Sequence, residues 1–269
     1  MRPVLFFIFG LPVYSYGVCI SLAVMVMVFW AAKNAPRAGF TAETVVDLTL
    51  AVTVGCLIGA RIVFVLVEWE YYRAHPWEIF NLRAGGLSFF GAVLGGFVAA
   101  RFYARHKRLP FWRLADFAVP YVALGYAIGR IGCLLNGCCY GVPTRVPWAL
   151  PCAAGDPTLR HPTQIYASIG SFLLFILLYR LREHRRFPGF LFFLYLVLYA
   201  VMRGIIEIFR DSLRVMGPWR LTQFGCLLLA LFALEEIWRR ERRWRKGDKG
   251  KDGRGEEMDS RSCPGRPAT

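Results

Sequence analysis

Residues 45–67 read VVDLTLAVTVGCLIGARIVFVLV. Apart from Asp47 near its start and Arg61 near its end, nothing in this stretch carries charge. A span of the bilayer needs about 20 predominantly apolar residues in a helix, so this stretch is expected to cross a membrane. Six further apolar runs follow the same pattern: Tyr16–Ala32, Leu87–Phe102, Ala115–Leu135, Ile165–Tyr179, Phe187–Phe209 and Leu221–Trp238. The shorter ones can use neighbouring loops or thin the bilayer locally. The first run follows Arg2 and a short apolar leader, which suggests a signal peptide. It continues past any small-residue cleavage site and stops only at Lys33, so it is read as a retained span.

Composition agrees. Of 269 residues, 56% are hydrophobic and only 19% are charged, more apolar than a soluble domain of this length. The formal net charge of +15 suggests nucleic acid at first sight. The cations, however, sit in short loops at span ends, where membrane topology accounts for them, so no nucleic acid partner is expected. Lys33 and Arg37 follow the first run. Arg101, Arg105, Lys107, Arg108 and Arg113 follow the third, and Arg180, Arg182, Arg185 and Arg186 the fifth. Arg239, Arg240, Arg242, Arg243, Arg245 and Lys246 follow the seventh. The alternate loops hold fewer cations and no Lys, and the second offsets Arg73 and Arg83 with Glu68, Glu70 and Glu78. The positive-inside rule then places the N-terminus outside and the C-terminus in the cytoplasm. The expected fold class is an all-α membrane protein of about seven transmembrane helices with a small periplasmic head. Residues 1–246 form one membrane domain, and the polar stretch 247–269 reads as a disordered cytoplasmic tail. The basic stretch before that tail would lie at the inner leaflet, as a topology anchor or against anionic lipid.

Ionisable groups inside spans are costly and mark pairs or function. Arg61 lies within the second run and Arg130 near the outer end of the fourth. Arg203, Glu207 and Arg210 lie at i, i+4 and i+7 in the sixth, on one helix face. Read alone, that triplet is an ion group fixing helix packing. Yet four Arg outnumber one Glu in the same half of the membrane, and guanidinium forks fit phosphate oxygens. In a bilayer the abundant phosphate is a lipid headgroup. Gly91/Gly95 and Gly125/Gly129 have the spacing of close helix crossings. Gly85 and Gly86, just before Leu87-Ser88-Phe89-Phe90, look like a re-entrant turn, which at membrane depth must line a protein cavity.

Residues 129–141, GRIGCLLNGCCYG, end the fourth span and open the longest outer loop. Cys133, Cys138 and Cys139 do not follow a zinc spacing, and neither a metal nor a cofactor is expected. Cys152 and His161 could complete a ligand set. A disulfide from Cys152 to Cys138 or Cys139 is the other reading. The remaining Cys19, Cys56 and Cys226 read as small core residues. Residues 160–166, RHPTQIY, lead into the fifth span with Pro162 at a helix start, and His161 is either a site residue or an interfacial one.

At these residues the chain resembles the prolipoprotein diacylglyceryl transferase family. The resemblance runs from about Pro12 through the seventh span. It rests on Tyr16-Gly17, Gly59-Ala60-Arg61, Gly85-Gly86-Leu87-Ser88-Phe89, the 129–141 signature, residues 160–166 and the Arg203, Glu207, Arg210 spacing. The family implies seven spans in a bacterial inner membrane. It implies transfer of a diacylglyceryl group from phosphatidylglycerol to the lipobox Cys thiol in a prolipoprotein signal peptide, with glycerol phosphate released. It implies a catalytic set of Arg130, Arg203, Glu207, Tyr16 and His161. It further implies a headgroup site of Arg130, Arg61, Arg210, Asn136, Gly141, Ser88, Gly85 and Gly86. The sequence departs from the family at Phe90, where many members carry His or Tyr, and at Cys133 and Cys138, where many carry Asn and Glu. Phe90 accepts no proton, which leaves His161, Tyr16 or Glu207 as base. It also keeps open an alternative, a non-catalytic relative that binds or moves anionic lipid. A small-anion channel is disfavoured, because the Arg residues gather at one side rather than along a path.

Overall fold

A computed structural model describes residues 4–8, 11–81, 85–152, 156–184, 186–210, 214–216 and 219–259. Within them lie helices α1 (Ser15–Asn34), α2 (Ala42–Val67), α3 (Trp69–Ala74), α4 (Phe89–His106), α5 (Phe111–Asn136), α6 (Thr163–Leu181), α7 (Phe190–Ile208) and α8 (Leu221–Asp259). Each expected apolar run falls on one of these helices, with α3 as an extra short helix in the second loop. Two small antiparallel hairpins were not expected. They pair β1 (Val4–Ile8) with β2 (Leu11–Tyr14), and β3 (Arg214–Met216) with β4 (Trp219–Arg220). Five helices, α1, α2, α5, α6 and α7, are long and apolar enough to cross a membrane. α4 and α8 carry the third and seventh runs. α8 continues through the first part of the polar stretch to Asp259, and residues 260–269, with Cys263, lie outside the described residues.

The outer faces of the bundle are apolar. Leu50, Val54, Ile58, Ile62 and Leu66 of α2 are all exposed, as are Phe29 of α1 and Leu173 of α6. Contiguous exposed apolar surface of this kind does not suit water, whereas hydrocarbon solvates it. α5 is the central helix: half of its apolar window is buried, against 17% for α1 and for α2.

Small residues set the helix crossings. A Cβ on Gly91 would strike the Gly59 carbonyl, and one on Gly95 the Gly55 carbonyl, so α2 and α4 touch backbone to backbone and run antiparallel. Along α5, Gly125 faces Met27, Gly129 faces Ile20 and Gly132 faces Cys19, so α1 and α5 are also antiparallel. Ser168 Oγ on α6 donates to the Ala127 carbonyl of α5 at 2.8 Å, and Gly170 of α6 packs on Met202 of α7. At one end of the bundle, Ala31, Ala35, Phe40, Val45, Tyr103, Ala104, Leu114 and Tyr121 make a compact apolar cluster. The buried Asp116 carboxylate belongs to this half. It accepts from the Gly189 and Phe192 amides at 2.7 and 3.0 Å and so caps the start of α7, where the positive end of the helix dipole favours an anion. The antiparallel order leaves Tyr16, Arg61, Ser88, Arg130, Gln164 and Glu207 at the other end. The intramembrane arginines Arg61 and Arg130 and the Arg203–Glu207 pair therefore lie at the end away from this cluster.

Candidate active site

Three groups of side chains occupy that end. The first surrounds Arg61. Its Nε donates to the Ile79 carbonyl at 2.7 Å, and Nη1 to the Gly85 and Gly86 carbonyls at 2.9 and 3.1 Å. Nη2 donates to the carbonyls of Glu78 and Asn81, and the Tyr72 ring lies 5.1 Å from the guanidinium carbon. Arg61 is buried, and backbone carbonyls take up its fork, so it acts as a clamp for the segment entering α4 rather than as a free phosphate ligand. Gly85 and Gly86 have φ of 85° and 76°, the left-handed turn that glycine permits. A Cβ on Gly86 would run into Phe64 and Arg61. Ser88 caps α4 by accepting from the Gly91 amide at 3.4 Å, and its own amide donates to the Ala60 carbonyl at 3.0 Å. Phe90, in the first turn of α4, is exposed.

The second group surrounds Arg130. Its guanidinium lies over the Tyr126 ring, 4.6 Å from the centroid, and Nη2 donates to a Tyr126 hydroxyl one helical turn back. With Ile131, Leu134, Gln164, Ile165 and Ser168 it lines a cavity of about 180 Å³ between α5 and α6. Gly137 and Cys139 both take left-handed backbone, with φ of 71° and 62°, so the chain doubles back directly after α5. Two residues of α6 secure that turn: Thr163 Oγ1 donates to the Cys139 carbonyl and Gln164 Nε2 to the Cys138 carbonyl, each at 2.7 Å. Both side chains are buried, at 2% and 1% exposure, so the hydrogen bonds are well shielded. In the sequence this pair stands out only as part of the 160–166 motif. Tyr126 belongs to no motif, and its place four residues before Arg130 is the one sequence signal for it.

The turn brings the Cys133, Cys138 and Cys139 sulfurs within 4.8 Å of one another. All three are free thiols, as is Cys152, which is buried apart from them, so the expected bridge from Cys152 does not form. Cys139, outside the helix, is lowered to about 5, chiefly by a hydrogen bond from Cys133, with Arg210 and Arg130 acting against burial. Cys138 is raised, chiefly by burial, and the Asn136 side chain hydrogen-bonds to its sulfur. Tyr16, in the first turn of α1, lies in the field of all three cysteines and of Arg130.

The third group closes the site from α7. Arg203 and Glu207 form an ion pair in which Glu207 is 1% exposed. The Tyr199 ring sits 5.7 Å from Tyr126, edge-on at 85°, and lies within the field of Arg203, so the two tyrosines link the second and third groups. Gly141 pairs with Arg210, the Val142 amide donates to the Phe209 carbonyl at 2.9 Å, and the Gly141 amide to the His161 carbonyl at 3.0 Å. A Cβ on Gly141 would meet the Phe209 carbonyl and His161, which is why only glycine fits this three-way crossing. The crossing brings the end of α7, the signature loop and the start of α6 together. His161 Nδ1 is 3.1 Å from the Tyr166 hydroxyl and its ring packs on Phe209, 5.1 Å between centroids. The site therefore joins Arg130, Tyr16, Asn136 and Arg210 in one cluster, with Arg203–Glu207 and His161 on its α7 side. Arg61, Gly85, Gly86 and Ser88 form a separate clamp.

The chain matches the family model described as "Prolipoprotein diacylglyceryl transferase" over residues 3–239. It is similar to curated proteins named phosphatidylglycerol–prolipoprotein diacylglyceryl transferase. With the one from Finegoldia magna it shares 34% identity, over 86% of this chain and 92% of that protein. With that from Bacillus cytotoxicus it shares 37%, over 83% and 86%. With that from Trichormus variabilis it shares 36%, over 89% and 91%.

Proposed function

Because the chain belongs to the prolipoprotein diacylglyceryl transferase family, we propose that it moves the diacylglyceryl group of phosphatidylglycerol onto the lipobox cysteine thiol of a prolipoprotein. The product is a thioether and glycerol phosphate leaves. The observation that carries this reading to particular residues is Arg130, set in a cavity at one end of the bundle with Tyr126 fixing its fork. Cleaving a carbon–oxygen bond with phosphate as leaving group builds charge on phosphate oxygens. Preorganised donors in a site of low dielectric stabilise that charge. Arg130 holds the departing phosphate, and Arg210 adds positive charge from across the signature loop. Arg203 is neutralised by Glu207, so this pair shapes the α7 wall and orders the headgroup side. The acceptor's own sulfur is the nucleophile, reactive as the thiolate. The protein supplies placement, anion stabilisation and a proton acceptor. Of the three candidate bases, Tyr16 faces this cluster and Arg130, Glu207 is paired with Arg203, and His161 is held by Tyr166 and Phe209 at its margin.

The architecture of the reading is seven spans in a bacterial inner membrane, with α4 and the apolar first part of α8 joining the five helices already long enough. The N-terminus lies outside and the C-terminus in the cytoplasm, which puts the site at the outer leaflet, where a signal peptide presents its cysteine. Residues 1–246 are the transferase domain and 247–269 a cytoplasmic tail. Nothing in the relatives' names favours the lipid-holding alternative.

The test uses purified protein in liposomes of phosphatidylglycerol with a lipobox peptide. The peptide gains the mass of a diacylglyceryl group, a peptide with Ser for Cys gains none, and Arg130→Ala abolishes the gain while the protein keeps its fold. Full transfer by folded Arg130→Ala overturns the assignment.

A further inference from the structure

Three cysteines within 4.8 Å of each other at the heart of a lipid-modifying site are not used by the chemistry above. Their arrangement is built rather than incidental. Cys133 sits in the last turn of α5, and two left-handed residues, Gly137 and Cys139, fold the next four positions back over it. Left-handed backbone at a non-glycine residue is unfavourable and persists only where the surroundings enforce it. Here Thr163 and Gln164 enforce it by gripping the Cys138 and Cys139 carbonyls from α6. Thiolates in tetrahedral zinc sites lie about 2.3 Å from the metal, and therefore about 3.8 Å from one another. The observed spacing requires a contraction of about 1 Å at most. Three thiolates around a divalent cation carry one net negative charge, and a fourth thiolate makes it two. Arg130 and Arg210, the two guanidinium groups in the field of Cys139, supply two positive charges beside the cluster.

We propose that Cys133, Cys138 and Cys139 form a three-thiolate site for a thiophilic cation of the zinc class, whose open fourth position takes the sulfur of the acceptor cysteine. Three protein ligands and one exchangeable position is the pattern of a reactive rather than a structural zinc site, and soft thiolates select this class of metal. The second half of the proposal rests on the transferase reading. A thiol that coordinates such a metal is deprotonated outright, and its proton leaves to water at the outer mouth. The bound sulfur then attacks the glyceryl carbon that bears the phosphate. The carbon–sulfur bond forms, the carbon–oxygen bond breaks, and its electron pair leaves on the phosphate oxygen. The product is a neutral thioether, a poorer ligand than a thiolate, so it departs and water refills the fourth position. No group changes oxidation state. The metal thus does the work of a proton acceptor in a chain whose position 90 is Phe.

The experiment loads reduced, full-length protein in detergent with Co2+ as a spectroscopic stand-in for zinc. One Co2+ binds per chain, with intense sulfur-to-cobalt charge-transfer absorption and the visible bands of a tetrahedral ion. Cys133→Ser, Cys138→Ser and Cys139→Ser each weaken binding at least tenfold. Adding lipobox peptide shifts the visible bands, and the Ser-for-Cys peptide does not. No cobalt–sulfur absorption in the wild type, or the same absorption in the triple Ser variant, overturns the metal site. A band pattern indifferent to the peptide cysteine overturns the fourth-ligand assignment. A second readout avoids variants that fail to fold: Zn2+ should protect these three cysteines, but not Cys56 or Cys226, from alkylation. Equal labelling with and without Zn2+ overturns the site. Neither readout needs turnover. A protein that holds metal and transfers nothing refutes the transferase reading and leaves the metal site standing, and an active protein indifferent to metal refutes the role of the metal in transfer.

Discussion

Arg130 owes its value to what is arranged around it. The Tyr126 ring beneath it and the hydroxyl bonded to its fork fix a planar donor in one orientation, and guanidinium geometry rather than charge alone matches phosphate oxygens. Arg130→Lys keeps the charge but loses both the stacking and the fork. We expect it to lower kcat by on the order of 100-fold, the scale for losing one donor aimed at developing charge, with little change in thermal stability. Measuring kcat and the unfolding temperature on the same preparation checks this, and activity near wild type would show that point charge suffices. At this scale the sequence was informative where a residue broke a rule. An arginine inside an apolar run is conspicuous alone, which is why Arg130 and the Arg203, Glu207, Arg210 face could be picked out. The role of Arg61 was not legible. Its partners are carbonyls 17 to 25 residues further along the chain, and carbonyls have no signature in a sequence. Cys133, Cys138 and Cys139 stood out in the sequence, but the approach of their three sulfurs did not, for a related reason. Zinc spacing rules assume ordinary turns, and the left-handed conformation of Cys139 is not implied by its identity.

Between elements, the α2–α4 crossing and the α7 cap do the most to hold the site end in place. With Gly55, Gly59, Gly91 and Gly95 in mutual backbone contact, a side chain at Gly95 must separate the helices. It would thereby loosen the Arg61 clamp that both helices share. Gly95→Leu should cost about 1–3 kcal/mol from overpacking and lower the unfolding temperature in detergent. Gly225→Ala, where a Cβ meets nothing within 4 Å, should leave it unchanged or raised. Equal effects at the two positions would argue against a close crossing. Asp116→Ala removes the acceptor for two amides at the start of α7 and should cost about 1–2 kcal/mol. Asp116→Asn, which keeps one acceptor oxygen, should cost less, and chemical or thermal denaturation of both variants measures the difference. Helix positions were legible because apolar run length reports directly on span length. The first hairpin was not, since β1 and β2 are largely apolar like the span that follows them, and the second, β3–β4, is too short to leave a period-2 pattern.

For the molecule as a whole, one end is a dense apolar knot and the other a polar chamber, and the proposed orientation rests on the cations of alternate loops. A reporter that fluoresces only in the cytoplasm should be bright when fused after residue 246. A phosphatase active only outside should be active when inserted within the loop at residues 145–150, which opens beyond the signature. The opposite pattern would place the site at the inner leaflet, away from exported substrates.

In the proposed reaction the Arg130 chamber breaks the bond between the glyceryl carbon and phosphate for the benefit of an acceptor thiol. The most direct measurement is release of glycerol phosphate from headgroup-labelled phosphatidylglycerol in liposomes with lipobox peptide. Release should require both the peptide cysteine and Arg130, falling to background when either is replaced. Release that continues without the peptide thiol, or undiminished in a folded Arg130→Ala protein, would contradict the account.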